Sequence, residues 1–143
     1  MDSLMTEIDL EGFQVVNSQY FSTISAPQMT IWCDSVSFSQ AAYAALNNCE
    51  AISIMLNKDK KCILISPVQT SNPNAIVWRK GKSVTKYCKI SCTTFARKLF
   101  DDWGLNDDYR YRTIGRLVQS DRKVMVLFDF TQSEKWKGDK AVK

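Results

Sequence analysis

The pattern of apolar and polar positions changes period several times along the chain, and each change predicts an element. MTIWCDSVSFS (29–39) alternates and is rich in β-branched and aromatic residues, which predicts a strand. Ser37 or Ser39 can then cap a helix through QAAYAALNN (40–48), with Asn47 and Asn48 suited to its C-terminal end. AISIMLN (51–57) reads as a strand, NKDKK as a polar turn and CILISPV (62–68) as the returning strand, closed by Pro67. QTSNPN breaks the chain. IVWRKGKSVTKYCKIS (76–91) predicts a short strand, a basic loop and a second strand. In TTFARKLFDDW (93–103), Phe95, Leu99 and Trp103 recur at i, i+4 and i+8, the stripe of an amphipathic helix. Ser91 or Thr93 would cap it and Gly104 would end it. YRYRTIGRLV (109–118), QSDRK and VMVLFDF (124–130) predict a hairpin. Residues 1–27 form a lead or a first hairpin, with strand character in FQVV and YFSTIS. The tail TQSEKWKGDKAVK (131–143) is polar and basic and is expected to fray.

Two stretches of this pattern match. A strand ending in SFS, the helix AAYAAL and the hairpin AISIMLNKDKKCILISP come first. A strand ending in KIS, the helix FARKLFDDWGL and the hairpin YRYRTIGRLVQSDRKVMVLFD follow. Phe38 matches Ile90, Ser39 matches Ser91, and Tyr43 matches Phe95 within one residue. The predicted class is α+β, with two β-α-β-β repeat units. The expected organisation is a lead over 1–27, a first unit over 28–71, a second and basic unit over 72–131, and a basic tail over 132–143.

The pieces VSFSQAAYAALNN with ISIMLNKDKKCILISP, and KISCTTFARKLFDDWGL with YRYRTIGRLVQSDRKVMVLFDF, resemble the swapped-hairpin β-barrel proteins of the AbrB and MraZ type. The resemblance spans roughly residues 30–130. It implies a tandem swapped-hairpin barrel in which two units interleave, and DNA contact by basic residues on exposed strands and loops. The first unit departs from it: Asp34 and Ser35 stand where the family carries arginines. DNA contact therefore carries over to Lys86 and Lys89 in the second unit. The texture of the chain also resembles small proteins of phages and conjugative elements of Gram-positive bacteria.

Charge sharpens this picture. Residues 1–71 hold three lysines against seven acids, a net of −4, whereas residues 72–143 hold sixteen basic residues against eight acids, a net of +8. A basic half points to an anionic partner, a nucleic acid or an acidic protein surface. Two segments concentrate it. WRKGKSVTKYCK (78–89) sets Arg79, Lys80, Lys82, Lys86 and Lys89 among Trp78 and Tyr87, cations for phosphates and rings for bases. A solvated basic loop has the same composition. YRYRTIGR (109–116) would place Arg110, Arg112 and Arg116 on one strand face and Tyr109, Tyr111 and Thr113 on the other. Asp101, Asp102, Asp107 and Asp108 are close enough in sequence to pair with those arginines instead. The tyrosines would then pack on Phe95, Leu99 and Trp103. Ala41, Ala42, Ala44 and Ala45 allow close backbone approach, either within the fold or at a homodimer seam. Lys135, Lys137, Lys140 and Lys143 surround Trp136 in the tail.

The chain contains no histidine, which excludes His-based triads, Cys-His pairs and the usual zinc ligand sets. Five cysteines at positions 33, 49, 62, 88 and 92 lack a disulfide framework and are expected to be buried free thiols. Cys88 and Cys92 could meet on a helix, but a nucleophile there would need a depressed thiol pKa. Phosphate-loop, dinucleotide and nucleophile-elbow motifs are missing from the sequence. No cofactor, metal or catalytic residue is expected. No apolar run reaches the length that crosses a bilayer, and the acidic start MDSLMTEIDLEGF is unlike a targeting segment, so the expected location is cytoplasmic. The leading expectation is a non-enzymatic nucleic-acid-binding regulator of a phage or mobile element. The alternative is an anti-CRISPR-like inhibitor that binds a host defence nucleoprotein and blocks its nucleic-acid site.

Overall fold

The computed structural model describes residues 6–15, 26–78, 87–138 and 140–142, with the backbone alone for Tyr87 and Cys88. One curled antiparallel sheet organises them, half of a barrel in outline, with two helices. Its strands are β1 (Gln28–Ile31), β2 (Ser35–Ser39), β3 (Ala51–Asn57), β4 (Cys62–Val68), β5 (Ile76–Val77), β6 (Tyr87–Ser91), β7 (Arg110–Ser120), β8 (Lys123–Asp129), β9 (Glu134–Lys137) and β10 (Lys140–Val142). The helices are α1 (Gln40–Ala45) and α2 (Thr93–Trp103). The strand order is β5-β3-β4-β8-β7-β1-β2-β6, with β9 also on β7 and β10 on β9. The order strand, helix, hairpin occurs twice, as β2-α1-β3-β4 and β6-α2-β7-β8. Corresponding strands pair across the two stretches, β2 with β6 and β4 with β8.

Local chemistry accounts for the helix ends. Ser39 sits at the N-cap of α1, where its hydroxyl accepts from the amides of Ala42 (3.4 Å) and Gln28 (2.9 Å). One oxygen thus satisfies a helix start and anchors β1. Ser39→Ala is expected to cost about 1–2 kcal/mol, read as a lower urea midpoint with an unchanged slope. Asn47 and Asn48 take the left-handed conformation just past α1, as asparagine tolerates. Gly104 ends α2 in the same region, at φ 63°. The start of α2 differs from the expectation. Cys92 holds the N-cap without a side-chain bond, because Ser91 is committed to the β2–β6 ladder opposite Ser35.

Three further expectations need correction. MTIWCDSVSFS is two strands, folded back at Cys33 and Asp34, with the Trp32 amide donating to the Ser35 carbonyl at 2.8 Å. The tail does not fray. Its β9–β10 hairpin pairs Lys137 with Lys140 around Gly138, and β9 adds to the edge of β7 that β8 leaves free. Pro67 lies inside β4, where β3 still pairs but β8 has already left, so its missing amide breaks no bond to β8. Of the lead, residues 13–15 hold no regular element, and the rest of FQVV and all of YFSTIS lie outside the described residues.

The concave face carries the core: Met29, Ile31, Val36, Phe38, Ile52, Ile63, Ile65, Val126 and Phe128, with Tyr43 from α1 and Leu99, Phe100 and Trp103 from α2. Of the alanine row, Ala42 is fully buried within the fold, Ala41 and Ala45 are half-buried and Ala44 is exposed. β7 approaches this core closely at Gly115. A Cβ there would stand 2.6 Å from both Phe128 Cε1 and Val126 Cγ1. Gly115→Ala should therefore overpack the core and cost about 1–3 kcal/mol, again read from the urea midpoint.

Candidate nucleic-acid interface

β7 alternates as its sequence implies. Tyr111, Thr113 and Gly115 face the core, while Arg110, Arg112, Ile114 and Arg116 face outward. Tyr111 packs edge-on against Phe100 at 5.8 Å, and its hydroxyl accepts from the Asn106 amide at 3.0 Å. Three of the four expected acidic partners are engaged elsewhere. Asp101 and Asp107 pair with Arg97 at 3.2 and 2.7 Å, and Asp102 pairs with Lys58 at 3.6 Å. Bonding from Arg97 holds the Asp107 carboxyl below its usual range. Arg112 pairs instead with Glu134 of β9 at 3.3 Å, a contact that exists only because the tail folds onto β7.

The registers assemble a row across five strands: Lys89 on β6, Ser37 on β2, Thr30 on β1, Arg112 on β7 and Glu134 on β9. Ser37 and Thr30 are short, buried hydroxyl residues, and the long side chains rise at either side. A second, adjacent row holds Ser35 with Trp32 and Arg110 with Trp136. The two tryptophans carry the cations. Lys89 Nζ lies 4.4 Å from the Trp32 ring centre, and the Arg112 and Arg110 guanidiniums lie 4.4 and 5.5 Å from that of Trp136. Such contacts hold flexible side chains over a ring at modest gain, about 0.5–1 kcal/mol at exposed sites. Lys89 is exposed, and Trp32, Arg110, Arg112 and Trp136 are half-exposed.

Lys89, Arg110 and Arg112, which two separate segments of sequence supply, thus share the outer face of the sheet. Arg116 is on the same side of β7 but farther along, opposite Leu127, in a stripe that continues through Leu64 to Met55. That stripe is apolar, and Ile114 beside it is also exposed. Arg79, Lys80, Lys82 and Lys86 lie outside the described residues. Trp78, read as a stacking ring, is instead core: it is 1% exposed, and its Nε1 donates to the Cys49 carbonyl at 2.8 Å. Trp32 is the functional candidate that the sequence reading passed over. Its place beside a fold-back is invisible in a sequence that alternates without a break from Met29 to Ser39.

Cys33, Cys49, Cys62 and Cys92 are free and half-buried rather than fully buried. Burial pushes the thiols of Cys49, Cys62 and Cys92 up, away from the thiolate form. Cys88 lies in β6 and Cys92 at the cap of α2, so the two do not share a helix. Among the described residues no helix is long and apolar enough to cross a membrane. Comparison of the chain with protein-family models, with curated proteins and with solved structures returned no match.

Proposed function

We propose that this chain is a non-enzymatic nucleic-acid-binding protein, a regulator carried by a phage or mobile element, whose outer sheet face grips phosphates. The observation that carries the reading is the gathering of Lys89, Arg110 and Arg112 on one face, interleaved with Trp32 and Trp136. Cations clustered on one face neutralise phosphates and release counterions, and aromatics among them suit bases. The raised Cys92 thiol weighs against thiolate catalysis. The finer reading of the fold is a tandem of two swapped-hairpin units. The repeated element order and the pairing of β2 with β6 and β4 with β8 support it.

The test is fluorescence anisotropy with labelled single- and double-stranded oligonucleotides across a salt series. Three phosphate contacts give a log–log salt slope of about 2–3, so affinity should fall about 20- to 40-fold between about 50 and 200 mM salt. No binding at the lowest salt would remove the proposal.

A second reading has its own observation. Met55, Leu64, Leu127 and Ile114 form a partly exposed apolar stripe beside Arg116, of the kind that protein partners cover. It favours the inhibitor of a host defence nucleoprotein, and pull-down of a purified defence complex in the absence of free nucleic acid tests it.

A further inference from the structure

We infer that the preferred ligand of the outer face is a single strand, whose bases stack on Trp32 and Trp136 while its phosphates meet Lys89, Arg110 and Arg112. The inference rests on the nucleic-acid reading above and deepens it.

Shape excludes the usual duplex mode. The basic row spans five adjacent strands, β6-β2-β1-β7-β9. Four inter-strand gaps of about 4.8 Å make that face about 19 Å wide. The major groove is about 12 Å wide and admits a helix or a two-stranded ribbon. A five-stranded face cannot enter it, and the bases of a duplex present edges rather than ring faces. An extended single strand has no such barrier.

The placement of the rings fits a single strand. Trp32 follows Ile31, whose partner is Tyr111, so it stands level with Arg110; Trp136 faces Arg110 from the other side. The backbone positions of the two tryptophans are therefore about two strand spacings apart, roughly 10 Å, with Arg110 between them. Arginine planes and indoles are both stacking partners for unpaired bases. The tryptophans also differ in how they are held. Trp78 and Trp103 donate their Nε1 to the carbonyls of Cys49 and Lys58, at 2.8 and 3.1 Å. The Trp136 Nε1 is buried and has no hydrogen-bond partner among the described residues. An indole held by cation–ring contacts alone can re-seat on a base without losing a hydrogen bond.

The deciding probe is an oligonucleotide series of equal charge, bound to the unaltered full chain: a single strand, its abasic counterpart, and a duplex of half the length. Stacking on each base contributes about 5- to 140-fold in affinity. The single strand should bind at least that much more tightly than the abasic strand, and should quench tryptophan fluorescence where the abasic strand does not. DNA and RNA versions run in parallel identify the polymer from the tighter of the two. Trp32→Leu and Trp136→Leu should each lower single-strand affinity while changing abasic-strand affinity less than about twofold. Equal binding of intact and abasic strands, or tighter binding of duplex, overturns the inference and leaves the phosphate-gripping reading standing. Failure of all three probes to bind overturns both.

Discussion

Trp78→Ala is expected to cost about 3–5 kcal/mol of stability, among the largest losses of any single substitution. The indole is fully enclosed, tilted against Tyr43 at 4.2 Å and edge-on to Phe38 at 5.2 Å. Its neighbours cannot close the void. Phe38 is fixed in the β1–β2–β6 ladders, and the Tyr43 hydroxyl is held on the Trp78 carbonyl at 3.0 Å. Truncation also leaves the Cys49 carbonyl without its indole donor. With a urea slope of about 2 kcal/mol/M, the midpoint should fall by about 1.5–2.5 M. This substitution also separates core from surface. A Trp78 that stacked on bases would lose affinity and keep its stability; the burial here predicts the reverse. A loss below about 1 kcal/mol would show that the ring is not packed as described.

The double substitution Arg110→Ala/Arg112→Ala carries the largest expected functional effect. Two lost phosphate contacts lower the log–log salt slope by about 1.4–1.8. If both proteins converge near 1 M salt, affinity at about 0.1 M falls about 25- to 60-fold. The fall should reach or exceed the upper end, because Glu134 loses its partner and then repels phosphate at the end of the row. The thermal midpoint should barely move. Both arginines are half-exposed, and their contacts with Glu134 and Trp136 are surface interactions of small net worth. An unchanged salt slope would mean that neither arginine meets a phosphate.

The sequence was most legible where the determinants are local. The stripe Phe95, Leu99, Trp103 with Gly104 after it marks α2 to the residue. AISIMLN and CILISPV are β3 and β4 as read, since a polar turn between two apolar runs leaves little freedom of register. The alternation of YRYR correctly separates core tyrosine from outward arginine at 110–112. It does not reveal the partner of those arginines. Glu134 reaches Arg112 only through β9, which pairs with a strand more than twenty residues earlier. Polar, lysine-rich residues concealed that strand, although Gly138 and Asp139 between WK and KA are a hairpin signal. The turn at Cys33 and Asp34 contains neither glycine nor proline, so MTIWCDSVSFS looked continuous, and Trp32 went unnoticed as a surface ring. Trp78 misled in the opposite sense. Its basic sequence neighbours suggested a binding loop, whereas its burial is decided by Phe38 and Tyr43, remote in sequence.

The most direct test of the central claim is an amide and indole NMR titration of the full chain with a short single-stranded oligonucleotide at low salt. Shifts should concentrate at Thr30, Trp32, Ser37, Lys89, Arg110, Arg112 and the Trp136 indole, with α2 and the Met55–Leu64 stripe unmoved. Shifts confined to that apolar stripe or to α2, or no shifts at all, would contradict it.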